Sequence, residues 1–394
     1  MAPAELLLEP VQAPAIVVGH VAAVAPSPSA STHQRLLSLD FLRGFTMFWI
    51  IGGSELVVAV VACISPLLAD SIQSQLTHAR WNGFTAYDFI MPLFLFVVGA
   101  SMPLAFAKRT EPGQSLRPVY GRIARRVALL WCCGIVFQYL KQLADGDPLS
   151  LELFSNTLQA IAVGYLVTSL ALLHLRVPAQ IVLLVTLIVG YLALLLFTPF
   201  AGYPAGTLER EANLAWHLDV NLLGGFRRDH HFTWVISTLG FSASVLLGAM
   251  AGHVLRARLA VPRRLLYLVL LGVGCGTVGW LWSYSLPLNR HLWTSSLILW
   301  AGGWSFLLLA LFHVVIDVAR IRGWAYPFLV IGGNALLAYM FDAFFYWEIK
   351  AFSTWVLPAG YSTPYTDLLV PTCEVGLVWL ILWWAYRQRL FLRA

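Results

Sequence analysis

Long apolar runs, each closed by a short polar or glycine- and proline-rich stretch, recur along the whole chain. They fall at about 41–62, 87–107, 124–142, 156–174, 178–198, 233–254, 264–284, 293–317, 325–347 and 367–386. Each is long enough, as a helix, to cross a hydrocarbon core of about 30 Å. None shows the period-two alternation that a membrane barrel strand requires. The pattern predicts an all-α polytopic membrane protein of roughly ten transmembrane helices.

Two connections between these runs are longer than a simple turn needs: Asp70 to Tyr87, and Ala201 to Phe232. Long connections in a compact protein tend to carry function. The first ends in His78-Ala79-Arg80-Trp81-Asn82-Gly83-Phe84-Thr85-Ala86-Tyr87-Asp88 and leads into an apolar run interrupted by Pro92, Gly99, Ser101 and Pro103. Ionisable groups at the edge of a membrane are costly and read as functional, and histidine moves protons near neutral pH. The second connection holds Trp216, His217, Asp219, Arg227, Arg228, Asp229, His230 and His231. Adjacent histidines point apart and no His-x-x-x-His spacing occurs, so no metal is expected.

Composition agrees with the membrane reading. Of 394 residues, 59% are hydrophobic and 11% charged, with a mean hydropathy of +0.75; a soluble domain would be about a quarter charged. The net charge of +6 does not mark a nucleic-acid binder, because the basic residues are spread over short loops. With the N-terminus inside and the spans alternating, eighteen of the 25 lysines and arginines fall inside and seven outside. The bias puts both termini in the cytoplasm and His78 on the outer face. Residues 1–34 are expected to be a flexible cytoplasmic tail, because Glu5 and Glu9 flank Leu6-Leu7-Leu8 and no basic residue precedes them, unlike a signal peptide. Residues 35–394 then form a single transmembrane domain. The five cysteines (Cys63, Cys132, Cys133, Cys275, Cys373) lack metal-ligand spacing, and no phosphate-cradling glycine loop points to nucleotide hydrolysis.

The first span opens with Arg35, Ser38, Asp40, Arg43 and Gly44. Asp40 and Arg43 are three apart, on one helix face. They form a mutual salt bridge, or Arg43 holds an anionic ligand such as a phosphate. Gly52-Gly53 permits a close helix approach or a break, and Glu55 follows near the outer end.

The blocks Arg35 to Gly44, His78 to Asp88, and Pro92 to Ser101 together resemble the heparan-α-glucosaminide N-acetyltransferase family and its bacterial relatives. Leu158-Gln159 through Tyr165 resembles the family's Leu-Gln-rich span, and Ser237-Thr238-Leu239 with Gly248 and Gly252 the span after the large loop. Pro287-Leu288-Asn289-Arg290-His291-Leu292-Trp293 is similar to its Pro-x-Asn-Lys-x-Leu-Trp element. Gly333-Asn334 through Tyr339 is similar to its late Asn-x-Leu-x-x-Tyr span. The resemblance implies a membrane-bound acyltransferase that moves acetyl from cytoplasmic acetyl-CoA to an amine or hydroxyl of a sugar across the membrane. It implies that His78 is the active-site histidine, and that the protein is a homodimer. The family's first-span asparagine has no counterpart in Ile50-Ile51-Gly52-Gly53-Ser54-Glu55, where Ser54 or Glu55 offers the polar group. A lysosomal member would carry a further luminal N-terminal domain, so a bacterial plasma membrane is the expected location.

Acetyl transfer needs a proton acceptor and donors for the oxyanion. His78 can deprotonate the acceptor, or attack the thioester and carry the acetyl group itself. Asp88 orients the imidazole or caps the helix that follows. Asn82 or Asn334 can donate to the oxyanion. Trp81, Asn289 and Trp293 are candidates for the acceptor site or for interfacial anchoring and capping. Arg43, Arg122, Arg125 and Arg126 are candidates for the phosphates of CoA or for lipid headgroups. A transporter or flippase of a glycan or lipid precursor would use the same polar groups as a pathway.

Overall fold

The computed structural model describes residues 36–107, 115–227, 232–341 and 364–391. The expected tail at 1–34 lies outside the described residues, as do His230 and His231. All regular structure described is helical: α1 (Leu37–Phe48), α2 (Ser54–Ala62), α3 (Pro66–Gln75), α4 (Ile90–Ala107), α5 (Arg117–Asp145), α6 (Thr157–His174) and α7 (Val177–Phe197). There follow α8 (Leu214–Leu223), α9 (Thr238–Arg256), α10 (Val261–Trp282), α11 (Ser295–Phe312), α12 (Tyr326–Gly333), α13 (Ala335–Phe341) and α14 (Pro364–Arg387). Among the described residues nine helices, counting α1–α2 as one, are long and apolar enough to cross a membrane; α12 and α13, bent by 73°, make a tenth if they form one span. The protein is a polytopic helical membrane protein.

The helices expose large apolar side chains where lipid would lie, among them Val182, Val185 and Val189 on α7 and Leu270 and Val273 on α10. Lipid tails are as apolar as leucine, so hydrophobicity alone does not drive the helices together; close packing must. The α4–α9 seam shows how. A Cβ on Gly99 would lie 1.8 Å from the Val245 carbonyl oxygen, and one on Gly248 would lie 2.0 Å from that of Phe96. The two backbones therefore touch along the centre of the bundle, with Phe96, Val97, Val245 and Leu246 fully buried around them.

The first span breaks where Gly52-Gly53 allows it. A π-helical turn joins α1 to α2, with Ile51 at φ −86°, ψ 32° and Gly52 at φ 96°, a left-handed conformation that favours glycine. The Glu374 carboxylate of α14 lies 3.2 Å from the position a Cβ on Gly52 would take, so the break is packed as well as permitted.

Alternation of the spans collects the α4 start, the α5–α6 connection, α8, the α9 start and the α10–α11 connection on one face, with His78. Most of the described lysines and arginines gather at the other, near Arg117–Arg126, Arg256–Arg264, Arg320–Arg322 and Arg387–Arg389, while Arg80, Lys141, Arg210, Arg227 and Arg290 lie on the His78 side.

Candidate active site

Asp88 organises the His78 face. It is 3% exposed and sits in the short turn Tyr87–Phe89 that opens α4. Its Oδ2 accepts the backbone N–H of Thr85 (3.1 Å) and of Ala79 (3.2 Å). Thr85 and Asp88 are three apart at a helix start, so this is one half of a capping box. Its Oδ1 lies 2.8 Å from His78 Nδ1. Capping and orienting the histidine, alternatives in the sequence, thus coincide in one side chain.

That geometry fixes the His78 tautomer. Every other neighbour of the carboxylate is a donor, and Arg290 Nε lies 3.5 Å from Oδ1, so the carboxylate is the acceptor and His78 Nδ1 carries the proton. Nε2 then holds the lone pair, and Arg290 Nη1 sits 2.9 Å from it. Burial lowers the His78 pKa from 6.5, and the Arg290 charge lowers it further, against the hydrogen bond to Asp88 that raises it. The ring keeps 40% of its side chain exposed. The result is a neutral, reachable base.

Arg290 arrives on the turn 287–294, which builds itself. Asn289 Oδ1 accepts the Leu292 N–H at 2.9 Å, and Thr294 Oγ1 accepts the Asn289 N–H at 3.1 Å. With its oxygen so engaged, Asn289 must turn its Nδ2 to Asn82, donating to Asn82 Oδ1 at 3.0 Å. Among the described residues the Nδ2 of the exposed Asn82 has no partner. Gly83, at φ +130°, donates its N–H to Leu288 O at 2.8 Å, tying the two segments a second time; the left-handed backbone there favours glycine.

His291, the next residue, stacks on Trp81 with ring centroids 5.2 Å apart. Trp81 Nε1 donates to Leu208 O at 3.1 Å. Burial, reinforced by the Arg290 charge, pushes the His291 pKa down to about 4. It is a neutral imidazole whose buried Nδ1 has no hydrogen-bond partner among the described residues. The His291 carbonyl accepts the Thr233 N–H at 2.9 Å. Asp219 of α8, whose pKa burial raises to about 6, fixes the next residues by accepting the N–H groups of Trp234 (2.7 Å) and Val235 (2.8 Å).

The structure thus brings together His78, Asp88, Asn82, Trp81 and Asn289. The other candidates lie apart. Trp293 is 1% exposed, with φ +52°, and donates to Ser244 Oγ inside the bundle, so it packs the α9 start and does not line the site. Asn334 sits at the α12–α13 bend and donates to Leu390 O at 2.9 Å, near the opposite face, too far along its span to serve an oxyanion at His78. Glu55 is exposed on α2 and accepts from Ser54 Oγ at 2.7 Å. Arg43 is engaged by Asp40 Oδ1 and Ser101 Oγ, both at 2.9 Å, the salt-bridge alternative. Arg126 lies over the Tyr165 ring at 4.3 Å, while Arg122 and Arg125 are exposed near the start of α5. Arg290 and His291 were not among the sequence candidates; the signal was their place inside the Asn289-to-Trp293 element. Among the described residues no cluster has the makings of a metal site.

No family model matches the chain. It is 24% identical over 338 residues to human (Homo sapiens) heparan-alpha-glucosaminide N-acetyltransferase, covering 69% of this chain and 50% of the relative. It is 23% identical over 321 residues to the mouse (Mus musculus) protein of the same name, covering 67% and 48%. The chain thus spans about half the length of the curated relatives it matches, and the resemblance read from the sequence holds at that level.

Proposed function

We propose, from the likeness to these two N-acetyltransferases and from the tautomer of His78, that the chain is a membrane-embedded acetyltransferase. It carries acetyl from acetyl-CoA to an amine or hydroxyl of a sugar on the far side of the bilayer. The observation that carries the reading is the Asp88–His78–Arg290 line: a carboxylate holds Nδ1–H, and the basic Nε2 faces the solvent side beside a cation.

In transfer, the acceptor displaces Arg290 from Nε2. Its N–H or O–H proton goes to His78 as its lone pair attacks the thioester carbonyl. The C–S bond breaks, and the proton passes to the departing thiolate, giving the acetylated acceptor and free CoA thiol. Arg290 and the Asn82 Nδ2 are the donors available to the oxyanion. The basic face opposite His78 is then cytoplasmic by the positive-inside bias, with both termini inside. Of the arginines read as candidates for the phosphates of CoA, Arg122 and Arg125 have exposed side chains on that face.

The test is thiol release. Purified protein in vesicles, given acetyl-CoA, is expected to liberate CoA thiol when D-glucosamine is added on the His78 side. Glucosamine crossing the vesicle membrane with no thiol released would replace this reading with the transporter.

Arg290 gives a finer test through pH. The base works only when neutral, so kcat/KM falls as pH drops through the His78 pKa, which lies below 6.5. Arg290→Gln removes a neighbouring positive charge and is expected to raise that pKa. The acid limb should move to higher pH by about half a unit or more. A limb that stays in place would show that Arg290 does not act on His78.

A further inference from the structure

Among the described residues three carboxylates are buried on the His78 face, Asp88, Asp219 and Glu152, and two are saturated. Asp88 and Asp219 use both oxygens, as described. Glu152, in the α5–α6 connection and 2% exposed, does not. Its Oε1 accepts from Gln142 Nε2 at 2.7 Å and Gln138 Nε2 at 3.4 Å. Its Oε2 is buried and has no partner among the described residues. The Gln142 amide is fixed in this orientation, because its Oε1 is committed to the Ser150 N–H at 2.7 Å. Buried polar atoms are almost always hydrogen-bonded, and an exception calls for an explanation. The Ser155 hydroxyl, three residues on, is a second such exception.

The position explains it. Leu153 N–H donates to Phe226 O at 3.2 Å, joining this connection to the segment after α8. Phe154 lies 5.4 Å from the Trp234 ring, Trp234 4.6 Å from Phe232, and Phe232 6.1 Å from His291. The Arg290 guanidinium stands 5.7 Å over that same Phe232 ring. An aromatic wall therefore runs from Glu152 to the His78 centre. On the other side, Thr157 Oγ1 reaches Met91 Sδ at 3.7 Å, one turn beyond Asp88.

We propose that Glu152 Oε2 accepts a hydroxyl or ammonium donor of the sugar acceptor, so that the Glu152 loop is a binding subsite continuous with the His78 centre. The inference rests on the acetyltransferase reading for its ligand. A carboxylate held by a fixed amide beside aromatic rings suits a ring with polar edges and an apolar C–H face. Glu152 takes the donor, and Trp234 (8% exposed) and Phe154 (6% exposed) back the subsite from the core. The reacting amine stays at His78, where it must be neutral to attack.

The experiment is equilibrium binding of D-glucosamine to the full-length protein without acetyl-CoA, read by tryptophan fluorescence. Glu152→Gln is expected to weaken binding by about tenfold or more. Should that variant fail to yield folded protein, Glu152→Asp, which keeps the charge but withdraws the oxygen by one methylene, carries the same expectation. Affinity unchanged in a folded variant overturns the proposal, as does a wild type that does not bind glucosamine. The two readings separate cleanly. Wild type that binds glucosamine in a Glu152-dependent way yet releases no CoA thiol removes the acetyltransferase and leaves the subsite. Wild type that turns over, with a Glu152 variant of unchanged affinity, does the reverse.

Discussion

His78→Ala is expected to lower acetyl transfer by about 10²- to 10⁴-fold, the usual contribution of a positioned general base, while leaving the protein folded. The ring is an exposed side chain whose bonds go to Asp88 and Arg290, and its removal opens no core cavity. Asp88 would keep its two backbone donors and Arg290 its ion pair with Asp88. Activity at high pH should recover least, since no other base stands on the Asp88 line; the neighbouring His291, already neutral, has Trp81 against its ring. Steady-state kinetics on the purified variant, with thermal melting as the control, decide the matter. Residual activity within tenfold of wild type would remove His78 from the chemistry. The order of substrate use separates its two roles: a base needs both substrates bound together, whereas an acyl-histidine gives ping-pong kinetics and isotope exchange from acetyl-CoA to CoA without acceptor.

Gly248→Ala is expected to cost the protein its stability, and with it the site. The added Cβ would lie 2.0 Å from the Phe96 carbonyl oxygen and 2.8–2.9 Å from that residue's carbonyl carbon and Cα. These are backbone atoms of a buried helix, so no side chain can swing away, and α4 and α9 must separate. Overpacking usually costs about 1–3 kcal/mol, occasionally more, and a rigid backbone contact belongs at or above the top of that range. Gly190→Ala on α7 is the control. Nothing lies within 4 Å of its Cβ position, so the substitution should be neutral or raise stability by up to about 1 kcal/mol through helix propensity. Melting of the two variants in detergent, side by side, tests the seam. Equal melting temperatures would mean that α4 and α9 do not touch as described. Activity should follow, because α4 continues the turn that carries Asp88, and the segment leading into α9 makes the Thr233 contact that holds His291.

The spans were legible because bilayer thickness writes itself into sequence as length and hydropathy. The run read at 87–107 is the helix from Tyr87 to Ala107, and the run at 178–198 is Val177–Phe197. The break at Gly52 was legible for a local reason, two adjacent glycines. The α12–α13 bend was not, since hydropathy runs through Gly333-Asn334 without interruption and only tertiary packing turns it. The same limit governs the site. His78, Asn82 and Asp88 stand out because they interrupt an apolar neighbourhood within eleven residues. Arg290 does not, because an arginine between two spans looks like any charge that orients a membrane protein; its role comes from the fold that lays it on His78. Asn334 erred in the other direction. A polar residue inside an apolar run looks functional wherever it sits, and its depth, set by helix polarity and the bend, sends it to the opposite face.

The pairing of the 78–88 segment with the 287–294 turn bears on how the protein comes to be made. The Asn289–Asn82 and Arg290–His78 contacts join residues 207 and 212 apart in the chain. During synthesis α1 to α9 enter the membrane before the second half of the centre exists. A nascent chain at that stage holds a His78–Asp88 pair with no arginine, no locked amide and no stacked tryptophan. The centre therefore cannot form until α10 and the 287–294 turn have been made, and it is completed across the membrane-inserted helices rather than by the segment that bears the histidine.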